Sequence, residues 1–217
     1  DNGVIIVGGS VAAYNVAKAL RKEGYKEKIT IVTAQETLPY DPKVLSKDWM
    51  LDYENVEPPL FRKEDFFVES KIELKLNTTV TALNPEEKTI RTDSGETLHY
   101  DKLVLATGSV LRALNIPKSD ANGIFYLRDF NNALAIKNWL KHVKDLVIVG
   151  AGFIGLEMAS TFSQLGLKVT VIELEKHPLG RILGEEASGY FTKMHEAHGV
   201  KFITGEGVTS FETDENG

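Results

Sequence analysis

The 217-residue chain has no cysteine. That absence removes disulfides, thiolate nucleophiles, Cys-ligated metals and iron–sulfur clusters from the segment, so any redox chemistry must come from a bound cofactor. Long apolar runs are missing as well. The longest, residues 146–156, holds three glycines and stops at Glu157, short of the roughly 20 apolar residues a membrane helix needs. Nor is there an excess of positive charge. Lys and Arg total 25 against 31 Asp and Glu, for a formal net charge of −6, and no dense basic cluster offers a footprint for phosphate backbones or anionic membranes. Nucleic acid is not an expected partner. Of five histidines only His195 and His198 lie close together, and their spacing reads as an exposed helix face rather than a metal site.

With 42% hydrophobic and 26% charged residues, the composition is that of a folded globular chain. Its main feature is internal repetition. "VIIVGGSVAAYNVAKALRKEG" at 4–24 falls on "LVIVGAGFIGLEMASTFSQLG" at 146–166, 142 positions on, with Ser10 over Gly152 and Ala13 over Gly155. Each copy leads into a second β-branched run, "ITIV" at 29–32 and "VTVI" at 169–172. Buried run, glycine turn, helical periodicity and second buried run predict a βαβ unit, and two of them suggest two nucleotide-binding domains or the halves of one doubly wound sheet.

Between the copies, "KIELKL", "TTVTAL", "KTIRT", "ETLHY" and "KLVLAT" are strand candidates divided by turn residues, and together they predict a β-meander feeding a last core strand. Residues 109–123 read as a linker, and a helix near 129–141 begins at Asp129 as N-cap. A further helix is expected at 185–198, then a strand at 200–204 and another ending in "TDENG". The start directly at a strand and the unfinished second domain imply a piece of a longer chain. The boundary is placed at 111, giving domains 1–111 and 112–217.

In a dinucleotide turn the first glycine allows the bend, the second admits the pyrophosphate, and the third lets the helix pack on the strand. Gly150, Gly152 and Gly155 meet all three needs. The free N–H groups of Phe153 and Ile154 at the helix start would hold the anion. Glu173, at the end of the second run, can accept both hydroxyls of an adenosine ribose and repels a 2′-phosphate, favouring NAD over NADP. The first copy is irregular: Ser10 replaces the second glycine and Thr33 stands in the place of Glu173, with Glu36 the nearest acid.

"LVLATGS" at 103–109 resembles the Ala-Thr-Gly motif of flavoproteins with two dinucleotide-binding domains. Together with the two glycine turns and the meander, it gives the chain a resemblance to the FAD/NAD pyridine-nucleotide oxidoreductase superfamily related to glutathione reductase. "LPYDPKVLSKDW" at 38–49, "VGAGFIGLEMA" at 149–159 and "VIELEKHPLGRILGEE" at 171–186 are similar to its apoptosis-inducing-factor-like and Rieske or ferredoxin reductase-like branch. The implied fold is α/β: two Rossmann-like three-layer (ββα) FAD/NAD(P)-binding units, incomplete at the C-terminus. Residues 1–111 would be the first segment of the FAD-binding domain, and 112–217 an incomplete NAD-binding domain.

The resemblance further implies that Gly8, Ser10 and Ala13 line the FAD pyrophosphate, that the backbone of Val80 meets the adenine, and that Thr107, Gly108 and Arg112 border the flavin nucleotide. Lys47 matches the lysine near the reactive flavin nitrogen, and Glu157 the glutamate that pairs with it. Pro42 stands where relatives have an arginine that reaches FAD, with Lys43 as the nearby substitute. The implied activity is transfer of electrons from NADH through FAD to an acceptor, a Rieske- or ferredoxin-type protein by resemblance, with quinone or oxygen as alternatives. A second reading is a non-catalytic NAD(H)-binding module, or a fragment without turnover.

Overall fold

The computed structural model describes residues 2–213. In chain order the elements are β1 (Val4–Val7), α1 (Val11–Lys22), β2 (Ile29–Val32), α2 (Asp48–Leu51), α3 (Glu64–Glu69), β3 (Ile72–Lys75), β4 (Val80–Asn84), β5 (Thr89–Thr92), β6 (Thr97–His99), β7 (Lys102–Leu105), α4 (Phe130–Leu140), β8 (Asp145–Val149), α5 (Phe153–Gln164), β9 (Lys168–Glu173), α6 (Gly180–Glu196) and β10 (Lys201–Thr204). The chain divides into two compact units. Unit 1 is Asp1–Pro42 with Glu57–Val110; unit 2 is Lys43–Val56 with Leu111–Gly217. The second long stretch of unit 2 begins at Leu111, and Lys43–Val56 belongs to the same unit.

In unit 1 a parallel sheet of order β3-β2-β1-β7 is covered on both faces. All residues of β1 and β2 are buried, as continuous β-branched runs require in a sheet covered on both sides. Val4, Ile6, Ile29 and Ile31 pack with Ala13, Tyr14 and Ala17 of α1, Phe67 of α3 and Ile72. Ile5, Val7 and Val32 pack with Ile90 of an antiparallel meander, β4-β5-β6, and with Tyr100 just after it. Arg21, in the last turn of α1, donates to the carbonyls of Tyr25, Glu27, Ser70 and Lys71 and ties both crossovers together.

Unit 2 has a parallel sheet of order β10-β9-β8, with α5 lying along β8 and β9 and burying Leu156, Met158, Ala159 and Phe162. At the repeat positions of the covered Ile5 and Val7, Val147 and Val149 are 57% and 42% exposed. No second meander covers them among the described residues.

Several expectations are corrected. Residues 72–75 are a parallel edge strand beside β2, not part of the meander. Both short helices, α2 and α3, went unread. The helix expected at 185–198 starts at Gly180 and is broken at Gly184, where φ is 76°. Residues 205–213 form no strand, and the rest of "TDENG" lies outside the described residues. His195 is buried, not exposed: one ring nitrogen is 2.9 Å from the Phe191 carbonyl and the other 3.1 Å from that of Leu156. Asp129 caps α4 with a full capping box, bonding the Asn132 amide at 2.8 Å while the Asn132 side chain returns to the Asp129 amide.

Candidate functional site

In unit 1 the glycine turn follows β1, an interior and fully buried strand; in unit 2 it follows β8, an edge strand whose residues are partly exposed. In unit 2, Gly150 takes φ 100°, a value open to glycine. A β-carbon on Gly155 would stand 2.1 Å from the Gly150 carbonyl oxygen, whereas one on Gly152 would meet nothing within 4 Å. The third glycine therefore seats the helix, and the second leaves an empty space ahead of it. The first turn of α5 carries no acid, so its unpaired N–H groups keep their attraction for an anion. Phe153 and Ile154 are each 55% exposed beside that space.

Glu173 closes the turn from the strand side. One of its carboxylate oxygens accepts the Ala151 amide at 2.6 Å and the other the Glu175 amide at 2.8 Å. Each oxygen retains a lone pair for a ribose hydroxyl. In unit 1 the corresponding contact is a close approach of the turn to the Thr33 side chain. A β-carbon on Gly9 would lie 2.6 Å from the Thr33 hydroxyl, and one on Gly8, where φ is 119°, would lie 2.1 Å from the Ala106 carbonyl. The Gly8 turn and the Ala-Thr-Gly end of β7 are thus in contact, with Thr107 and Gly108 exposed just beyond. Ser10 is the N-cap of α1, but its side chain makes no capping hydrogen bond. Ala13, the stand-in for the third glycine, is fully buried.

Lys47 and Glu157, 110 positions apart, meet within unit 2. The Lys47 ammonium is 2.8 Å from Glu157 Oε2, and the Ser46 hydroxyl donates to the same oxygen at 2.6 Å. Lys47 also donates to the Lys43 carbonyl at 2.9 Å. One turn along α5 from Glu157, the Thr161 hydroxyl donates to the Ser46 carbonyl at 2.7 Å. Burial raises the Glu157 carboxyl, but the hydrogen bonds from Lys47 and Ser46 and the Lys47 charge outweigh it and hold the group below its usual 4.5.

The profile of the pyridine nucleotide-disulphide oxidoreductase family matches residues 2–217. The chain belongs to that family. Among curated members, the benzene 1,2-dioxygenase system ferredoxin–NAD(+) reductase subunit of Pseudomonas putida is 36% identical over 211 residues, which is 97% of this chain and 51% of the relative. The rubredoxin–NAD(+) reductase of Pseudomonas putida is 32% identical over 210 residues, 96% of this chain and 54% of the relative. Among solved structures, the ferredoxin reductase for the CYP199A2 system from Rhodopseudomonas palustris superposes with a TM-score of 0.94 at 31% identity, covering 99% of this chain and 53% of that one. Putidaredoxin reductase in its covalent complex with putidaredoxin gives 0.93 at 32% identity, covering 99% and 52%. The chain thus spans about half the length of these relatives.

The remaining candidate residues are spread over both units. Val80 opens β4 just before a register shift, and its side chain packs on the Ile5, Val7 and Val32 cluster. Lys43 lies on the short turn Pro42–Val44 and is exposed. Arg112 is exposed just past the start of the second stretch of unit 2. Sequence reading missed Ser46 and Thr161, although Ser46 adjoins Lys47 in the "LSK" segment. It also missed Lys137, an internal helix lysine that no local pattern distinguishes.

Proposed function

We propose that this chain supplies the FAD-binding segment and the NADH-binding unit of a reductase that passes electrons to a ferredoxin-type protein. The observation that carries the reading is the paired turn geometry: two strand–turn–helix units in one chain, the second with open space at Gly152 and an anchored acid at Glu173. Both fit a dinucleotide. Gly150, Gly152 and Gly155, with the N–H groups of Phe153 and Ile154, would hold the NADH pyrophosphate, and Glu173 its adenosine ribose. Gly8, Ser10 and Ala13, with Val80, Thr107, Gly108, Lys43 and Arg112, are assigned to FAD. When bound, the two cofactors supply hydride transfer and one-electron release.

The chain's own contribution is binding, alignment and charge. Lys47 offers a fixed cation to negative charge that develops on reduction, and Glu157 and Ser46 fix its direction. Such stabilisation needs a charge already in place before the reaction, which a loose surface lysine does not provide.

An absorption titration tests the reading. Protein supplied with FAD turns yellow and is bleached by NADH under anaerobic conditions if the proposal holds. A chain that stays colourless yet binds NADH is a nucleotide-binding module, and one that binds neither cofactor sinks both readings.

A further inference from the structure

Lys137 on α4 is fully buried, and its ammonium donates to three main-chain carbonyls of one segment: Trp49 at 2.5 Å, Asp52 at 2.9 Å and Asn55 at 2.7 Å. The same nitrogen lies 3.3 Å from the centre of the Trp49 ring, a close cation–π contact. An ammonium has three N–H groups and no acceptor, so each proton has its own carbonyl. None of these acceptors is a carboxylate. Burying a cation without a paired anion is costly, and the return here is order in a segment with little structure of its own.

That segment carries the Lys47 side of the site. The helix α2 is a single turn, too short to hold itself, and its last carbonyls have no helical partners. Its amides at Met50 and Leu51 both close on the Lys47 carbonyl, and the Lys47 amide closes on Val44. Ahead of it, Ser46 and Lys47 are tied to Glu157 and Thr161 of α5; behind it, Lys137 ties the chain to α4, beside the edge-on packing of Trp49 on Phe130.

We propose that Lys137 is a positioning residue for the Lys47–Glu157 pair. By gathering the Trp49, Asp52 and Asn55 carbonyls it fixes the turn that starts at Lys47, and so fixes where the Lys47 ammonium stands. Its consequence for flavin rests on the reading of Lys47 given above; the coupling itself is a property of unit 2. The charged groups acting on Lys137 are Asp52, on the segment, which favours the ammonium, and Lys141, one turn on at the C-cap of α4, which opposes it. Burial is the strongest influence and draws the group down to about 8.

The test compares wild type, Lys137→Met and Lys137→Arg by amide hydrogen exchange and by NMR titration of the Glu157 carboxyl. In Lys137→Met, exchange at Met50, Leu51, Asp52 and Asn55 accelerates about tenfold or more while α5 keeps its protection, and the Glu157 carboxyl moves up toward its ordinary value. Lys137→Arg restores both. In FAD-loaded protein, Lys137→Met slows flavin reduction several-fold without raising the Kd for NADH. Wild-type exchange and an unchanged Glu157 titration in folded Lys137→Met would overturn the proposal. Altered exchange and titration with normal flavin reduction would uphold the positioning role and remove Lys47 from the flavin chemistry. If Lys137→Met does not fold, wild type is titrated from neutral to alkaline pH. A neutral amine has two N–H groups for three carbonyls, so exchange at the same amides, corrected for hydroxide catalysis, rises as Lys137 loses its proton. A flat profile across that transition overturns the proposal.

Discussion

The Ala151 amide donates to the Glu173 carboxylate at 2.6 Å, so the glycine turn and the acid at the end of β9 are one hydrogen-bonded object. Removing the acid therefore does two things. On the proposed assignment, Glu173→Ala loses a ribose acceptor and loosens the turn, and should weaken NADH binding about tenfold, or about 1.4 kcal/mol. The penalty for NADPH should be smaller, because the repulsion of its 2′-phosphate disappears too. Calorimetric titration of both nucleotides checks this, and tighter binding of NADPH than NADH by wild type would refute the assignment of Glu173.

The second and third glycines of that turn should respond oppositely to a single methyl group. Gly155→Ala drives a β-carbon to 2.1 Å from the Gly150 carbonyl and should lower stability by about 1–3 kcal/mol, read as a shift in the urea midpoint. Gly152→Ala meets nothing in the protein and should leave the midpoint nearly unchanged. Its methyl instead occupies the space assigned to the pyrophosphate, and NADH affinity should fall at least about tenfold. Normal NADH binding by Gly152→Ala would remove the turn from the nucleotide site.

Ser10 caps α1 without spending its hydroxyl on the helix. The side chain is then able to turn away from a pyrophosphate or donate to it. Ser10→Gly is expected to change FAD affinity by less than about threefold if the hydroxyl turns away, because it then neither blocks nor anchors the phosphate. A sharp gain in affinity on flavin titration would show that the serine obstructs the site.

Acid pH should loosen unit 2 through Glu157. Burial works against its charge, but the Lys47 and Ser46 contacts win and hold the folded carboxyl below 4.5. The unfolded chain takes up this proton first as pH falls, so the group's contribution is complete above about 4.5 and is lost as pH drops through the folded value. Glu157→Gln should flatten that part of the stability profile, measured as the urea midpoint between pH 6 and 3. Added salt should reduce the difference, since both partners are partly exposed and open to screening. Identical acid limbs in the two proteins would show that the pair contributes nothing to stability.

Strands β1, β2, β8 and β9 were legible because β-branched runs next to glycine turns carry their own local signal, and Asp129 was legible as a cap because the capping box is local. Strand β3 was assigned to the wrong sheet. Alternation in "KIELKL" indicates a strand but not whether its neighbour runs parallel, which here depends on β2, 40 residues earlier. His195 was misplaced because helical spacing shows which face a residue shares but not which face another helix covers. Lys137 was invisible for a related reason: its burial depends on carbonyls more than 80 positions away. The Lys47–Glu157 contact, equally distant in sequence, could be anticipated only because both residues sit in motifs shared with a family.

Ala13 and Gly155 hold the same place in the repeat, yet one buries a methyl group and the other has no room for one. Helix α1 therefore stands off its turn by about the thickness of a side chain, while α5 rests directly on a main-chain carbonyl. The two halves are keyed to different depths. Grafting the hexad 150–155 into the first half would open a methyl-sized void, and the reverse graft would lift α5 from β8. Likeness in order has not kept them interchangeable, and each sheet accepts only the turn it carries.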